Sequence, residues 1–173
     1  MKTKEVTKKK IQNKTKYSFT IDDYWQVEKL ELKKNMTLEI LLVSKKTGDI
    51  PEDVFVGKTN IGPAYPLYLD YSKKILVRFY QPLAFQRLDE SFATEKGARW
   101  TGEVRFRTFT ESEYLKYFSK VSYGIVDKPI LHYCISCSDD IVSVLTTDPP
   151  EIIPIKSSKK KSSKPKKKKP KRR

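Results

Sequence analysis

The chain is poor in the residues on which most enzymes and metal proteins depend. Its 173 residues contain one histidine, His132, and two cysteines, Cys134 and Cys137. A zinc site built on Cys-x-x-Cys needs a second ligand pair, and the sequence offers none. On a strand, positions three apart also point to opposite faces. The two thiols are therefore expected to be plain buried side chains in a reducing compartment, with no metal and no cofactor. General acid–base chemistry at neutral pH draws on histidine or on paired, tuned carboxylates. His132 falls inside an expected strand, and Asp22-Asp23 and Asp139-Asp140 fall in expected turns, where Asp is favoured for backbone reasons alone. With no glycine-rich phosphate loop and no Gly-x-Ser-x-Gly, no catalytic residue is assigned and an enzyme is not expected.

Long hydrophobic runs are missing too. The longest strongly apolar run, Ile40-Leu-Leu-Val43, is far shorter than the roughly 20 residues of a membrane-spanning helix. The opening Met1-Lys-Thr-Lys-Glu-Val6 has no apolar segment of the signal-peptide kind, and Lys2 stands where myristoylation needs glycine. The expected location is inside a cell, in the nucleus or at the cytoplasmic periphery of a membrane, and not secreted.

Charge is what the chain has in excess, and it sits at the ends. Residues 1–16 hold seven Lys and one Glu, and residues 156–173 hold twelve Lys or Arg and no acid. Of the formal +15, these ends carry +6 and +12, which leaves residues 17–155 at net −3. A slightly acidic body argues against a fold whose main feature is a basic face. In 156–173 the only non-basic residues are Ser and Pro, so like charges repel and nothing apolar is available to bury. The expected organisation is a disordered basic arm (1–16), a globular domain (17–148), and a Pro-rich exit leading into a disordered polybasic tail (149–173).

Such arms suit polyanions. The candidate binding residues are Lys8, Lys9, Lys10, Lys159, Lys160, Lys161, Lys164, Lys166, Lys167, Lys168, Lys169, Lys171, Arg172 and Arg173. Against nucleic acid or ribonucleoprotein, each lysine near a phosphate releases counterions, giving sequence-independent and salt-dependent binding. Against an anionic membrane surface, each charge contributes about 1 kcal/mol. Lys164-Pro-Lys-Lys-Lys-Lys-Pro-Lys-Arg-Arg173 also reads as a nuclear localisation signal, which implies an import receptor as partner. The tail contains no aromatic residue, so base stacking is not its mode. Phosphorylation of Ser157, Ser158, Ser162 or Ser163 would lower the tail charge by about 1.5 to 2 per site. Within the body, Arg99, Arg105 and Arg107 form a possible secondary basic patch. The alternative is a solvated sheet face with arginines paired to Glu103 and neighbouring acids.

The expected fold class is α+β, a single domain with a mainly antiparallel sheet packed by about three short helices. Tyr17-Ser-Phe-Thr-Ile21 alternates as a strand. Over 24–32, Trp25 and Val27 fall on one parity and Leu30 and Leu32 on the other, which predicts a bulge. Asn35 as N-cap, apolar residues at 36, 40 and 43, and Gly48 predict a helix over 36–47, with a buried strand as rival. Residues 48–66, with Gly48, Gly57, Gly62 and Pro51, Pro63, Pro66, read as a long irregular loop. Tyr65, Tyr68 and Tyr71 are expected as aromatic anchors beneath it, with an exposed adhesive surface as the alternative. Strands follow at 67–71 and 75–80. A helix is expected from Pro82 to Gly97 and a single strand over 100–109. Thr110 and Glu113 form a capping box before a helix stopped by Gly124. A hairpin over 130–136 and 141–147 closes the domain. Pro149, Pro150 and Pro154 then predict an extended exit without regular structure.

Gly102-Glu-Val-Arg-Phe-Arg-Thr-Phe109 runs into Tyr114-Leu-Lys-Tyr-Phe118 and then Tyr123-Gly-Ile-Val126. This order of strand, aromatic helix and final sheet segment is similar to the C-terminal half of rhabdovirus matrix proteins. The size of the chain resembles the short members from plant viruses. The heaviest basic segment here is C-terminal, whereas the better-known animal-virus members carry theirs at the N-terminus. The resemblance implies a viral structural protein of virion and host cell. It would self-associate as a homo-oligomer and condense the ribonucleoprotein or bridge it to membrane through polybasic tails. The alternative is a nuclear RNA- or DNA-binding accessory protein whose tail acts as import signal and non-specific phosphate binder.

Overall fold

Eleven strands and one short helix make up the ordered framework of the computed structural model, which describes residue 19, residues 24–92 and residues 99–156. The strands are β1 (Tyr24–Leu32), β2 (Thr37–Thr47), β3 (Glu52–Val56), β4 (Thr59–Ala64), β5 (Leu67–Tyr80), β6 (Ala84–Asp89), β7 (Trp100–Glu103), β8 (Phe106–Phe109), β9 (Leu131–Ser136), β10 (Asp140–Thr146) and β11 (Glu151–Lys156). The helix α1 spans Glu113–Val121, and a single 3-10 turn covers Glu90–Phe92. One sheet has the order β1-β2-β5-β11 and a second the order β6-β10-β9-β8-β7, while β3 and β4 pair only with each other. Every pairing is antiparallel. The fold is thus mainly antiparallel β with one short helix, and not a sheet packed by three.

The two larger sheets share one core. Trp25 and Val27 of β1, Leu38, Ile40 and Leu42 of β2, and Ile75, Val77 and Phe79 of β5 meet Tyr133, Ile135, Val142 and Val144 of the second sheet. The ring centroids of Phe79 and Tyr133 lie 5.7 Å apart across this interface. Alternation with period two puts these side chains on one face, and each fully buried aliphatic contributes roughly 1.5–3 kcal/mol. Phe19 is also buried there, its ring 5.1 Å from that of Phe106. The rest of the 17–21 strand lies outside the described residues.

The central strands of the second sheet, β9 and β10, are buried on both faces. The outer side of the second sheet carries the buried Phe109, His132, Cys134, Ser143 and Leu145, and α1 meets it at His132 through Ser112 and Tyr114. Ser112 is the N-cap of α1, its Oγ accepting from the Leu115 N–H at 3.1 Å. The expected Thr110–Glu113 capping box is not formed: the cap is Ser112, which reaches the helix and His132 together, its N3 residue is Leu115, and Glu113 pairs with Lys116.

Several other expectations change. The segment 36–47 is β2, not a helix. Leu38, Ile40 and Leu42 alternate onto the core face, and Met36, at φ 59°, ends the tight β1–β2 connection. Burial on the shared core outweighs the i, i+4 pattern. The stretch after Pro82 is β6 and a 3-10 turn, with Phe85 against the core and Phe92 exposed; residues 93–98 are outside the described set. The single strand over 100–109 is two, folded back around Val104-Arg105, with Gly102 at φ 100° against the Phe106 carbonyl. Strands 67–71 and 75–80 are halves of β5. The extended 149–154 exit ends in β11, an edge strand where Pro154 lies opposite Ile75; proline is tolerated at a sheet edge because its missing N–H faces away from the ladder. The bulge expected in 24–32 is present, as a register shift between Val27 and Lys29.

Candidate interaction surface at the root of a β arm

Beyond the core, β2 and β5 continue as a ladder that leads into an arm. Their register jumps from Val43↔Lys74 to Ser44↔Asp70, so Tyr71, Ser72 and Lys73 are looped out of the pairing with β2. Asp70 closes this loop: its Oδ1 accepts from the Ser72 N–H at 3.0 Å and from the Ser72 hydroxyl at 2.5 Å. Those two bonds hold the Asp70 carboxyl below its usual range, with Lys46 and Lys73 adding charge attraction. The expected pair of strands around Ser72 is in fact one strand with an internal excursion.

The loop expected over 48–66 is the β3–β4 hairpin, turning at Gly57-Lys58, with Gly57 at φ 62°. Glycine takes this left-handed conformation without the steric cost that a Cβ brings. The arm is tied down at its base. The Gly48 N–H donates to the Pro66 carbonyl at 2.8 Å, and the Tyr68 hydroxyl donates to Glu52 Oε1 at 2.9 Å. That carboxylate pushes the Tyr68 phenol up. A Cβ on residue 48 would sit 2.8 Å from the Tyr68 ring, so the glycine is what lets the ring lie there.

Little covers the arm. Ile50, Phe55, Val56 and Ile61 are each at least 60% exposed. The tyrosines expected beneath the loop are exposed too: Tyr65 at 58%, Tyr68 at 49% and Tyr71 at 52%. A two-stranded ribbon supplies no second layer of its own to bury aromatics, so the tyrosines are exposed and are not anchors beneath a loop. The arm segment 48–66 bears Asp49, Glu52 and Asp53 against Lys58, whereas its root carries Lys46, Lys73 and Lys74. Lys74 Nζ stands 4.6 Å from the Tyr71 ring centroid and 3.5 Å from Glu28. At the edge of the same sheet, the last ladder position of β11 sets Lys156 opposite Lys73.

The basic-end candidates, at 8–10 and 159–173, lie outside the described residues. The three body arginines do not form one open patch. Arg99 is exposed just before β7. Arg105 and Arg107 are half-buried: the Arg105 guanidinium is 5.5 Å from the Tyr24 ring, and that of Arg107 is 5.7 Å from Phe109, with its Nη2 donating to Ser136 Oγ at 2.7 Å. Glu103, the acid expected to pair with them, accepts from the Phe19 backbone N–H.

The closest approach to a chemical constellation is Ser112 with His132, at 2.9 Å between Oγ and Nδ1. Both are buried, and the serine oxygen already caps α1, so no substrate reaches the pair. Cys134 and Cys137 are buried on opposite faces, in the two separate apolar clusters, as the strand geometry requires. Among the described residues no three His, Cys, Asp or Glu side chains gather as a metal site. A hollow of about 130 Å³ on the outer face of the first sheet is lined by Lys29, Glu31, Lys33, Glu39, Leu41, Leu76 and Ile155. It is smaller than the usual ligand pocket of roughly 300 Å³ or more, and its lysines and glutamates pair with one another.

The exposed arm was hidden from sequence reasoning because Gly and Pro in 48–66 mask two short strands. The alternation of Val54 and Val56 just before Gly57-Lys58 was the one available signal. Neither a scan against protein-family models nor searches of curated proteins and of solved structures finds a match to this chain.

Proposed function

We propose that this chain is a non-enzymatic assembly protein of the viral-matrix kind, whose β body associates with further copies while its basic ends bind ribonucleoprotein and bridge it to anionic membrane. The observation that carries the reading is the arm, where Phe55, Val56 and Ile61 stand exposed on one short hairpin and Ile50 just before it. Apolar side chains grouped in this way mark contact surfaces on soluble proteins. The charge distribution supports it, since a body at net −3 carrying ends of +6 and +12 attracts its own copies as well as polyanions. Of the segments that carry the rhabdovirus matrix resemblance, the helix α1 is present, whereas 102–109 falls in two strands, 123–126 is turn and coil, and β2 stands where a helix was expected.

Sedimentation of the full chain at low salt tests this. Self-association that is lost on Phe55→Ser with Ile61→Ser is expected, together with co-sedimentation of RNA that falls steeply as salt rises. A wild-type chain that stays monomeric and binds neither RNA nor anionic vesicles would refute it. The run Lys164 to Arg173 favours a second reading, a nuclear nucleic-acid-binding accessory protein. Nuclear accumulation that depends on this run, in a chain that does not self-associate, would select it.

A further inference from the structure

The arm is not the one apolar surface left in solvent. On α1, Tyr117 and Val121 lie one turn apart on the exposed side, and the turn that follows holds Tyr123 at 90% exposure and Ile125 at 77%. The Ile125 N–H donates to the Ser122 carbonyl at 3.2 Å and closes that turn, with Tyr123 at φ 52° and Gly124 at φ 67°. The left-handed region is costly for a bulky side chain, and a residue stays there where something outweighs the strain. Packing within the chain does not outweigh it, since the Tyr123 side chain stands almost wholly in solvent. Lys120 lies beside Tyr117 and Val121 on the helix, and Lys128 follows the turn. Residues 113–128 hold three Lys against Glu113 and Asp127, a net of +1, and Glu113 is already paired with Lys116. The arm segment 48–66 has the opposite sign: Asp49, Glu52 and Asp53 against Lys58 give a net of −2. Glu52 is held by Tyr68, whereas Asp53 lies two residues from Phe55 and so shares its face of β3.

We infer that the end of α1 with its following turn is the surface on which the arm of a second copy docks, so that copies join head to tail. The inference rests on the self-association proposed above and assigns the arm its receptor. Phe55 on the arm and Tyr117, Tyr123 and Ile125 on the receptor are the aromatic and aliphatic anchors that interface cores favour. Asp53 beside Phe55 and Lys120 beside Tyr117 give the two apolar surfaces rims of opposite charge, which sets partner and orientation. An arm set on another arm would instead bring net −2 against net −2. The arm extends the β2–β5 ladder of the first sheet, whereas α1 meets the outer side of the second, so the two surfaces belong to different layers of the body. One copy therefore offers its arm to one neighbour and its helix end to another. Such a heterologous contact propagates as an open chain of copies unless its rotation closes a ring, whereas a two-fold contact stops at a dimer.

The test is sedimentation of the full chain at low salt with two variants, alone and mixed. Phe55→Ser with Ile61→Ser alters the arm. Tyr123→Asn with Ile125→Ser alters the receptor, asparagine being tolerant of the left-handed backbone. All four side chains are exposed, so the core is untouched, and thermal unfolding checks this. Each variant alone is expected to lose self-association by about tenfold or more. An equimolar mixture of the two is expected to form a heterodimer that grows no further, because one intact arm meets one intact receptor. A receptor variant that assembles like the wild type, or a mixture that stays monomeric, overturns the inference while leaving arm-driven association in place. A receptor variant that assembles normally but no longer binds phosphatidylserine–phosphatidylcholine vesicles also overturns it and assigns the surface to lipid. A wild-type chain that stays monomeric removes this inference and the self-association reading together.

Discussion

His132 Nδ1 and Ser112 Oγ meet at 2.9 Å beneath α1, with the imidazole stacked on Phe109 at 5.1 Å and edge-on to Tyr114 at 5.5 Å. The serine caps α1 and the histidine holds the serine, so one buried contact sets where this helix docks on the second sheet. It is a structural pair with the atoms of a catalytic one.

That burial makes the fold sensitive to acid. Desolvation, with a smaller contribution from the Arg107 charge, pushes His132 down to about 4 from an ordinary 6.5. The unfolded chain therefore binds the extra proton between those values. Stability from this group is complete above about pH 6.5, falls as pH drops toward 4, and changes no further below. Urea unfolding at pH 7.5 and pH 5 is expected to show a loss of about 2 kcal/mol in the wild type. His132→Phe, which keeps the ring packing, should show little of it; an unchanged pH slope in that variant would rule out the assignment.

The thiols are expected to be silent in the native state. Burial raises the Cys137 thiol to about 12, and Cys134 is fully buried on the other side of β9. A thiolate is the reactive species, so a thiol reagent at pH 8 should label neither cysteine until denaturant is added, and then both. Rapid native labelling would contradict the packing of both faces.

Adjacent leucines on β2 separate strand from helix. Leu42 is fully buried on the core face, while Leu41 lies half-buried on the outer side. Leu42→Ala is expected to cost about 2–5 kcal/mol, and Leu41→Ala less than half as much, in chemical denaturation. Equal costs would point away from period-two burial at this position.

Arg78 joins three strands. It contacts Glu39 of β2 at 2.9 Å and Glu151 of β11 at 3.0 Å, and Tyr80 also donates to Glu151 at 2.8 Å. The cluster is partly solvated, so a double-mutant cycle between Arg78→Ala and Glu151→Ala should give a coupling of about 0.5–1 kcal/mol, reduced by salt. A coupling of zero would mean that backbone pairing alone holds β11.

The parts of the fold legible in the sequence are those where local and tertiary demands coincide. The parity change between Val27 and Leu30 announced the β1 bulge, and Ser138-Asp-Asp140 between two apolar runs announced the β9–β10 hairpin. The opposite placement of Cys134 and Cys137 followed from a strand's period alone. The segment 36–47 misled because Met36, Ile40 and Val43 satisfy a helical spacing while Leu38, Ile40 and Leu42 satisfy a strand, and nothing local chooses between them. Likewise Phe85, Leu88 and Phe92 read as one helical stripe, yet only Phe85 reaches the core.

The sequence by itself determined the separation of charge, a near-neutral body between two basic ends, because net charge is a sum over residues and needs no coordinates. What only the tertiary structure decided is which surfaces meet. Pairing with β5 turned the proline-rich exit into β11, and that register set Lys156 opposite Lys73. Because β3 and β4 pair only with each other among the described strands, most of their side chains are exposed. Both are outcomes of long-range hydrogen bonding and shared burial, and neither is written in the local pattern of the residues concerned.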